Sequence, residues 1–190
     1  SLLCRMTAVE APTGDEGARA ELLRSIFLEA GLDDVSIDDI GNVTGIRRGQ
    51  TRRAILLEAH MDTVFPRGTV TAAPSVIDGE IHCPGVGDNT VGLVTVITAL
   101  KVLNHLGIQT RHDLIFAGTV REEGLGNLGG IRRLIDTFRN SLDACITVDG
   151  FQYQDIVYKG SGIHTERICF NGRGGHSAER DIYPQALLAA

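Results

Sequence analysis

The sequence predicts an α/β fold, a mostly parallel sheet flanked by helices. Two observations carry that expectation. Short apolar runs rich in β-branched residues alternate with longer segments of helical periodicity. Three of the runs, 54–59, 114–120 and 144–148, lead into acid-rich knots: His60-Met61-Asp62, Glu122-Glu123 one residue on, and Asp149. In an open sheet such positions share the carboxyl edge of the strands, where ligands bind.

In chain order, Thr13-Gly14-Asp15-Glu16 has the spacing of a capping box, which satisfies free N–H groups at a helix start. Leu22, Leu23, Ile26, Phe27 and Ala30 then recur at helical intervals until Gly31 stops the pattern. Segments 35–37, 42–46 and 53–59 read as strands. The last two are expected to join through Gly49 in a solvated hairpin carrying Arg47, Arg48, Arg52 and Arg53. Residues 90–106 are too long for one strand despite their β-branched content, so they read as a buried helix. Asn89 stands near its N-cap and Gly107 at its end. A strand over 112–120, a helix over 128–138 and a strand over 142–148 complete a βαβ pattern. Beyond Asp149-Gly150 the character changes to a short strand at 156–159, a Gly160-Ser161-Gly162 joint, a strand at 163–170 and a helix start at 184–190. The expected domains are 1–160 and 161–190, the second the truncated start of an α+β domain.

Composition narrows the function classes. A chain of 190 residues, 43% hydrophobic, can bury a core for one domain and part of another. Its formal charge of -6 argues against general attraction to nucleic acid or anionic membrane. The most apolar stretch, 91–103, is broken by Thr95, Thr98 and Lys101 and falls short of the roughly 20 residues a membrane span needs. Cys4, Cys83, Cys145 and Cys169 form neither a CxxC pair nor a regular framework, which suits a reducing, cytoplasmic setting. No targeting segment is visible, although a start at Ser1 leaves processing open.

The acidic residues form the candidate site. His60 and Asp62 fall on the same side of an extended segment, because strand side chains alternate with period two. A carboxylate beside a metal-bound imidazole fixes its tautomer, whereas the tripeptide alone reads as an ordinary hydrogen-bonded pair. Asp88, between Gly87 and a helix start, can present both carboxylate oxygens to cations. Adjacent Glu122 and Glu123 repel each other unless a cation or proton intervenes, so one suits a metal and the other proton transfer. With Asp149, these residues supply the chemistry of a divalent site, plausibly of two metals. Gly124-Leu125-Gly126-Asn127-Leu128-Gly129 also matches a dinucleotide fingerprint with Asp149 downstream. Against an NAD-dependent oxidoreductase, Glu122 and Glu123 would sit where a pyrophosphate must bind. His176, on the turn Gly174-Gly175-His176-Ser177, is a further candidate.

HMDTV, GVGDN, REEG, VDG and GRGGHSA, in that order, resemble the co-catalytic zinc metallopeptidase family of peptidase T, dipeptidase PepV, carnosinase, glutamate carboxypeptidase and acetylornithine deacetylase. The resemblance covers nearly the whole chain and implies a zinc-exopeptidase-like fold followed by a lid domain. It implies that His60 and Asp149 bind one zinc, Glu123 the other and Asp88 both, with manganese or cobalt as alternative metals. It also implies that Asp62 orients His60, that Glu122 is general base and acid for a two-metal-activated water, and that His176 polarises the scissile carbonyl. A cis Asp88-Asn89 peptide, a small peptide substrate and a homodimer through the complete lid follow in the same way, with neither nucleic acid nor membrane as partner.

Family members are longer, so the chain is expected to be an N-terminal fragment lacking the last histidine ligand, binding at most one metal firmly and inactive in isolation. After His176 it lacks the family's usual proline, and Gln185 stands near an expected asparagine. Asp149, where other relatives have Glu, inclines the resemblance toward a peptidase T-like aminopeptidase or dipeptidase. The alternatives are an N-acyl-amino-acid deacylase of the same fold, and a non-catalytic peptide-binding relative.

Overall fold

In the computed structural model, which describes residues 1–150, 155–160, 162 and 166–172, the chain divides into two units, Ser1–Gln154 and Asp155–Ala190. The first unit contains, in order, α1 (Leu2–Thr7), α2 (Gly17–Glu29), β1 (Asp33–Ile37), β2 (Val43–Arg47) and β3 (Ala54–His60). There follow β4 (Ser75–Ile77), β5 (Glu80–His82), α3 (Val91–His105), β6 (Asp113–Thr119), α4 (Gly129–Phe138) and β7 (Leu142–Thr147).

Five strands form one mixed sheet in the order β1-β2-β6-β3-β7. β6, β3 and β7 run parallel, while β1 and β2 are antiparallel additions. Helices cover both faces. Met6 of α1, Leu23 and Phe27 of α2, and Leu93, Val96, Ile97 and Leu100 of α3 pack with Leu114 and Phe116 on one side. Leu134 of α4 meets Ala54, Leu56, Ile115 and Ala117 on the other. The four large buried side chains of α3, Leu93, Val96, Ile97 and Leu100, fall at i, i+3, i+4 and i+7, and each contributes about 1.5–3 kcal/mol by leaving water. The longer segment Val86–His105, of which α3 is the greater part, is long and apolar enough to pass for a membrane span by length and composition, and these core contacts supply a reason for part of that apolar character.

Three local expectations are corrected. The stretch from β2 to β3 is no hairpin, because β6 lies between them and pairs with both. All seven residues of β6 are buried, so it belongs at the centre of the sheet. The basic cluster instead ties the starts of β6 and β7 down at the edge opposite the strands' carboxyl ends: Arg48 donates to Asp113 at 2.9 Å and Arg53 to Asp143 at 3.0 Å. Secondly, Thr13 and Glu16 do not cap α2. The Glu16 residue is the N-cap but makes no side-chain cap bond, its carboxylate turning to the N–H groups of Gly14 and Arg121. Thirdly, residues 156–159 and the described part of 163–170 form no strand. Ile156, Val157 and Tyr158 are exposed, and a strand without a ladder leaves its peptide groups unpaired. The helix expected at 184–190 lies outside the described residues.

Two elements go beyond the sequence reading. Helix α1 is only six residues long. The β4–β5 hairpin turns on Asp78-Gly79, both at positive φ, a two-residue signal that was present in the sequence.

Candidate metal centre

Parallel pairing sets β3, β6 and β7 side by side with their carboxyl ends at one edge. His60 is the last residue of β3. Glu122 and Glu123 follow β6, and Asp149 follows β7. Asp88 arrives from the segment Val86–Thr90 that leads into α3. Asp88, Glu122, Glu123 and Asp149 line a cleft of about 600 Å³ together with Gly87 and Gly150.

His60 is the hub. Its Nε2 lies 2.9 Å from Asp88 Oδ1, 3.9 Å from Asp149 Oδ2 and 4.0 Å from Glu122 Oε2. Ligand atoms of His60, Asp88 and Asp149 all lie within 4.8 Å of one another, as do those of His60, Glu122 and Glu123. On the far side of the ring, Nδ1 is 3.0 Å from the Asp62 backbone carbonyl and 3.6 Å from its carboxylate. An Nδ1–H donated to that carbonyl leaves the Nε2 lone pair for the cleft.

The Asp62 carboxylate has other partners. It is fully buried and accepts the N–H groups of Glu122 and Glu123 at 3.0 Å each and the Thr13 hydroxyl at 2.9 Å. Burial by itself raises its pKa, but the bonds from His60, the two amides and Thr13 outweigh burial and hold it below the usual range. Glu122 and Glu123 are pushed the other way, first by burial and then by neighbouring carboxylates, with His60 offsetting part of the rise.

These groups fit a divalent cation. One imidazole nitrogen and four carboxylates converge, a donor set suited to zinc and to other first-row divalent ions. Among the described residues, His60 alone forms ion pairs with Asp88, Glu122 and Asp149, and no Lys or Arg does. Without metal, burial lowers the His60 pKa, but Asp62, Asp149 and Glu122 override it and push it up to about 9. A raised folded-state pKa gives stability that is complete below the unfolded value near 6.5 and lost as pH rises through about 9. The chelator-treated protein is therefore expected to lose stability across that window, on the order of 2–3 kcal/mol. Urea unfolding at pH 6, 7.5 and 9 checks this, and an increase toward pH 9 would contradict it.

The Asp88-Asn89 peptide is cis. The Asn89 side chain joins two elements: Oδ1 accepts the Gly92 N–H at 3.1 Å, capping α3 as expected, and Nδ2 donates to Val148 O at 2.8 Å. Residue 92 must be glycine for this, since a Cβ there would stand 2.1 Å from Asn89 Oδ1. Arg19, missed by the sequence reading, is buried behind the site and donates to Met61 O at 2.8 Å and to Thr90 Oγ1 at 3.3 Å. It thereby ties the His60-Met61-Asp62 turn to the start of α3. Burial lowers its pKa to about 10, and it stays cationic at neutral pH. Thr13 was likewise assigned to a helix cap. The fingerprint glycines 124–126 form a single 3-10 turn. His176 lies outside the described residues.

The profile of peptidase family M20/M25/M40 matches residues 56–165, more than half of the chain. Carboxypeptidase G2 of Pseudomonas sp. (strain RS-16) is 26% identical over 98% of this chain and 47% of its own length. A peptidase T-like protein of Rhizobium meliloti (strain 1021) is 27% identical over 92% of this chain and 51% of its own. Among solved structures, aminopeptidase PepT from Bacillus cereus ATCC 10987 superposes with a TM-score of 0.64. At 24% identity over 78% of this chain and 42% of that one, it is a likeness of fold. The chain spans about half the length of these two curated relatives.

Proposed function

The chain belongs to peptidase family M20/M25/M40, and from that premise we propose that it carries the catalytic metal-binding part of an exopeptidase. The substrates are small peptides, and the specificity is of the aminopeptidase or dipeptidase type. The observation that most supports this is the convergence of His60 with Asp88, Asp149, Glu122 and Glu123 in one cleft. In this reading His60, Asp88 and Asp149 hold one zinc ion, and Asp88 and Glu123 contribute to a second.

Bound there, the ions would supply Lewis-acid polarisation of a peptide carbonyl and water of lowered pKa. The protein's own groups do the rest. Glu122, with its carboxyl raised by burial, accepts a proton from the attacking water and returns it to the leaving amine. Asp62 fixes the main chain beneath Glu122 and Glu123. His176 polarises the scissile carbonyl.

The test uses the whole protein that carries this chain, stripped by chelator and reloaded with zinc, and offered free di- and tripeptides, N-blocked peptides and N-acyl amino acids. Release of the N-terminal residue from free peptides alone, lost on chelation and regained with zinc, is the expected result. Cleavage confined to N-acyl amino acids would replace the exopeptidase by a deacylase. If the reloaded protein cleaves none of them, the catalytic reading fails.

A further inference from the structure

We propose that Glu16 is a positioning residue that aims the Glu122-Glu123 pair into the cleft. The consequence rests on the metallopeptidase reading; the evidence is main-chain geometry. After β6 ends at Thr119, four successive N–H groups are each taken by a side-chain oxygen from elsewhere in the chain. Val120 donates to Asn42 Oδ1 at 3.1 Å and Arg121 to Glu16 Oε1 at 3.1 Å. Glu122 and Glu123 donate to Asp62 Oδ1 and Oδ2, at 3.0 Å each. Asn42, Glu16 and Asp62 are all buried. From the other direction, Gly130 and Gly129 donate to the carbonyls of Val120 and Arg121 at 2.9 and 3.0 Å.

The Glu16 rung bears on the residue least able to hold itself. Arg121 has φ +57, a region that side chains other than glycine rarely adopt, and it is the last residue before the pair. A buried carboxylate is costly unless its hydrogen bonds are made. Glu16 makes two with one oxygen, from Arg121 N–H and from Gly14 N–H at 2.8 Å. The same short loop carries Thr13, whose hydroxyl reaches Asp62, so residues 13–16 brace two adjacent rungs. Without the Glu16 rung, Arg121 can relax to negative φ, and mutual repulsion draws Glu122 and Glu123 toward solvent.

Glu16→Ala removes the acceptor, Glu16→Asp withdraws it by one methylene, and Glu16→Gln keeps a carbonyl oxygen in place. Amide hydrogen exchange of the whole protein is read at residues 120–123 and in β3. Zinc binding is measured by calorimetry with zinc alone. In the Ala variant, exchange at 121–123 is expected to rise about 10-fold or more while β3 is unchanged. Zinc affinity should fall roughly 10-fold, as loss of a group supporting metal ligands typically does. Asp should resemble Ala, and replaces it if Ala does not fold, whereas Gln should stay within about 2-fold of the parent because its acceptor survives. Parental exchange at 121–123 in both shortened variants, or a Gln variant as impaired as they are, would overturn the proposal. A parent protein that binds no zinc would defeat the metal reading and leave the exchange result to decide the role of Glu16.

Discussion

In the whole protein that carries this chain, Glu122→Gln is expected to lower kcat by about 10²–10⁴-fold while zinc per chain stays at the parental value. The amide keeps the shape of the side chain and its backbone bond to Asp62 but cannot accept a proton. The Glu122 Oε2 stands 4.0 Å from His60 Nε2, at the margin of the closest donors and beside the space they enclose. Burial, the chief influence on its carboxyl, raises its pKa toward the range useful to a general base at neutral pH. Asp88→Asn is the contrast, because Asp88 Oδ1 is the oxygen nearest His60 Nε2 and its loss should remove zinc. Elemental analysis of the two variants beside steady-state kinetics separates the roles, and equal metal loss in both would contradict the assignment.

Asp62→Ala is expected to cost about 3–5 kcal/mol of stability and to abolish zinc binding together. Two half-buried amides, those of Glu122 and Glu123, lose their acceptor at once, and so does the hydroxyl of the exposed Thr13. Each unsatisfied amide costs about 1–3 kcal/mol. His60 also loses the carboxylate 3.6 Å from its Nδ1. Asp62→Asn should be nearly as harmful, since its NH2 group would face one of two N–H donors. The measurements are the urea midpoint and calorimetric zinc titration. A stable Asp62→Ala protein that still binds zinc would show that the carboxylate neither supports the main chain nor serves the site.

The candidate ligands were legible because they are local signals. His60-Met61-Asp62, Glu122-Glu123 and Asp149 each follow an apolar run, and parallel strands bring such ends to one edge. Asn89 was legible as a helix start for a similar reason, a short-range bond to Gly92. The hairpin assigned to Arg47 through Arg53 failed because the pattern cannot say which strand is a neighbour. The structure puts β6, more than fifty residues downstream, between β2 and β3. Thr13 and Glu16 failed for the same reason, since their spacing fits a cap but their oxygens serve partners 49 and 105 residues away.

By itself the sequence determined the alternation of strands and helices, the existence of the apolar helix α3 and the residue types of the candidate donors. All of these depend on periodicity and residue type over a few turns of chain. Only the tertiary structure decided the strand order, the convergence of the donors on His60 Nε2, and the placement of buried oxygens from Asn42, Glu16 and Asp62 along four consecutive amides. A buried hydrogen bond is satisfied by whichever group packing brings within 3 Å or so, and sequence separation carries no information about that distance.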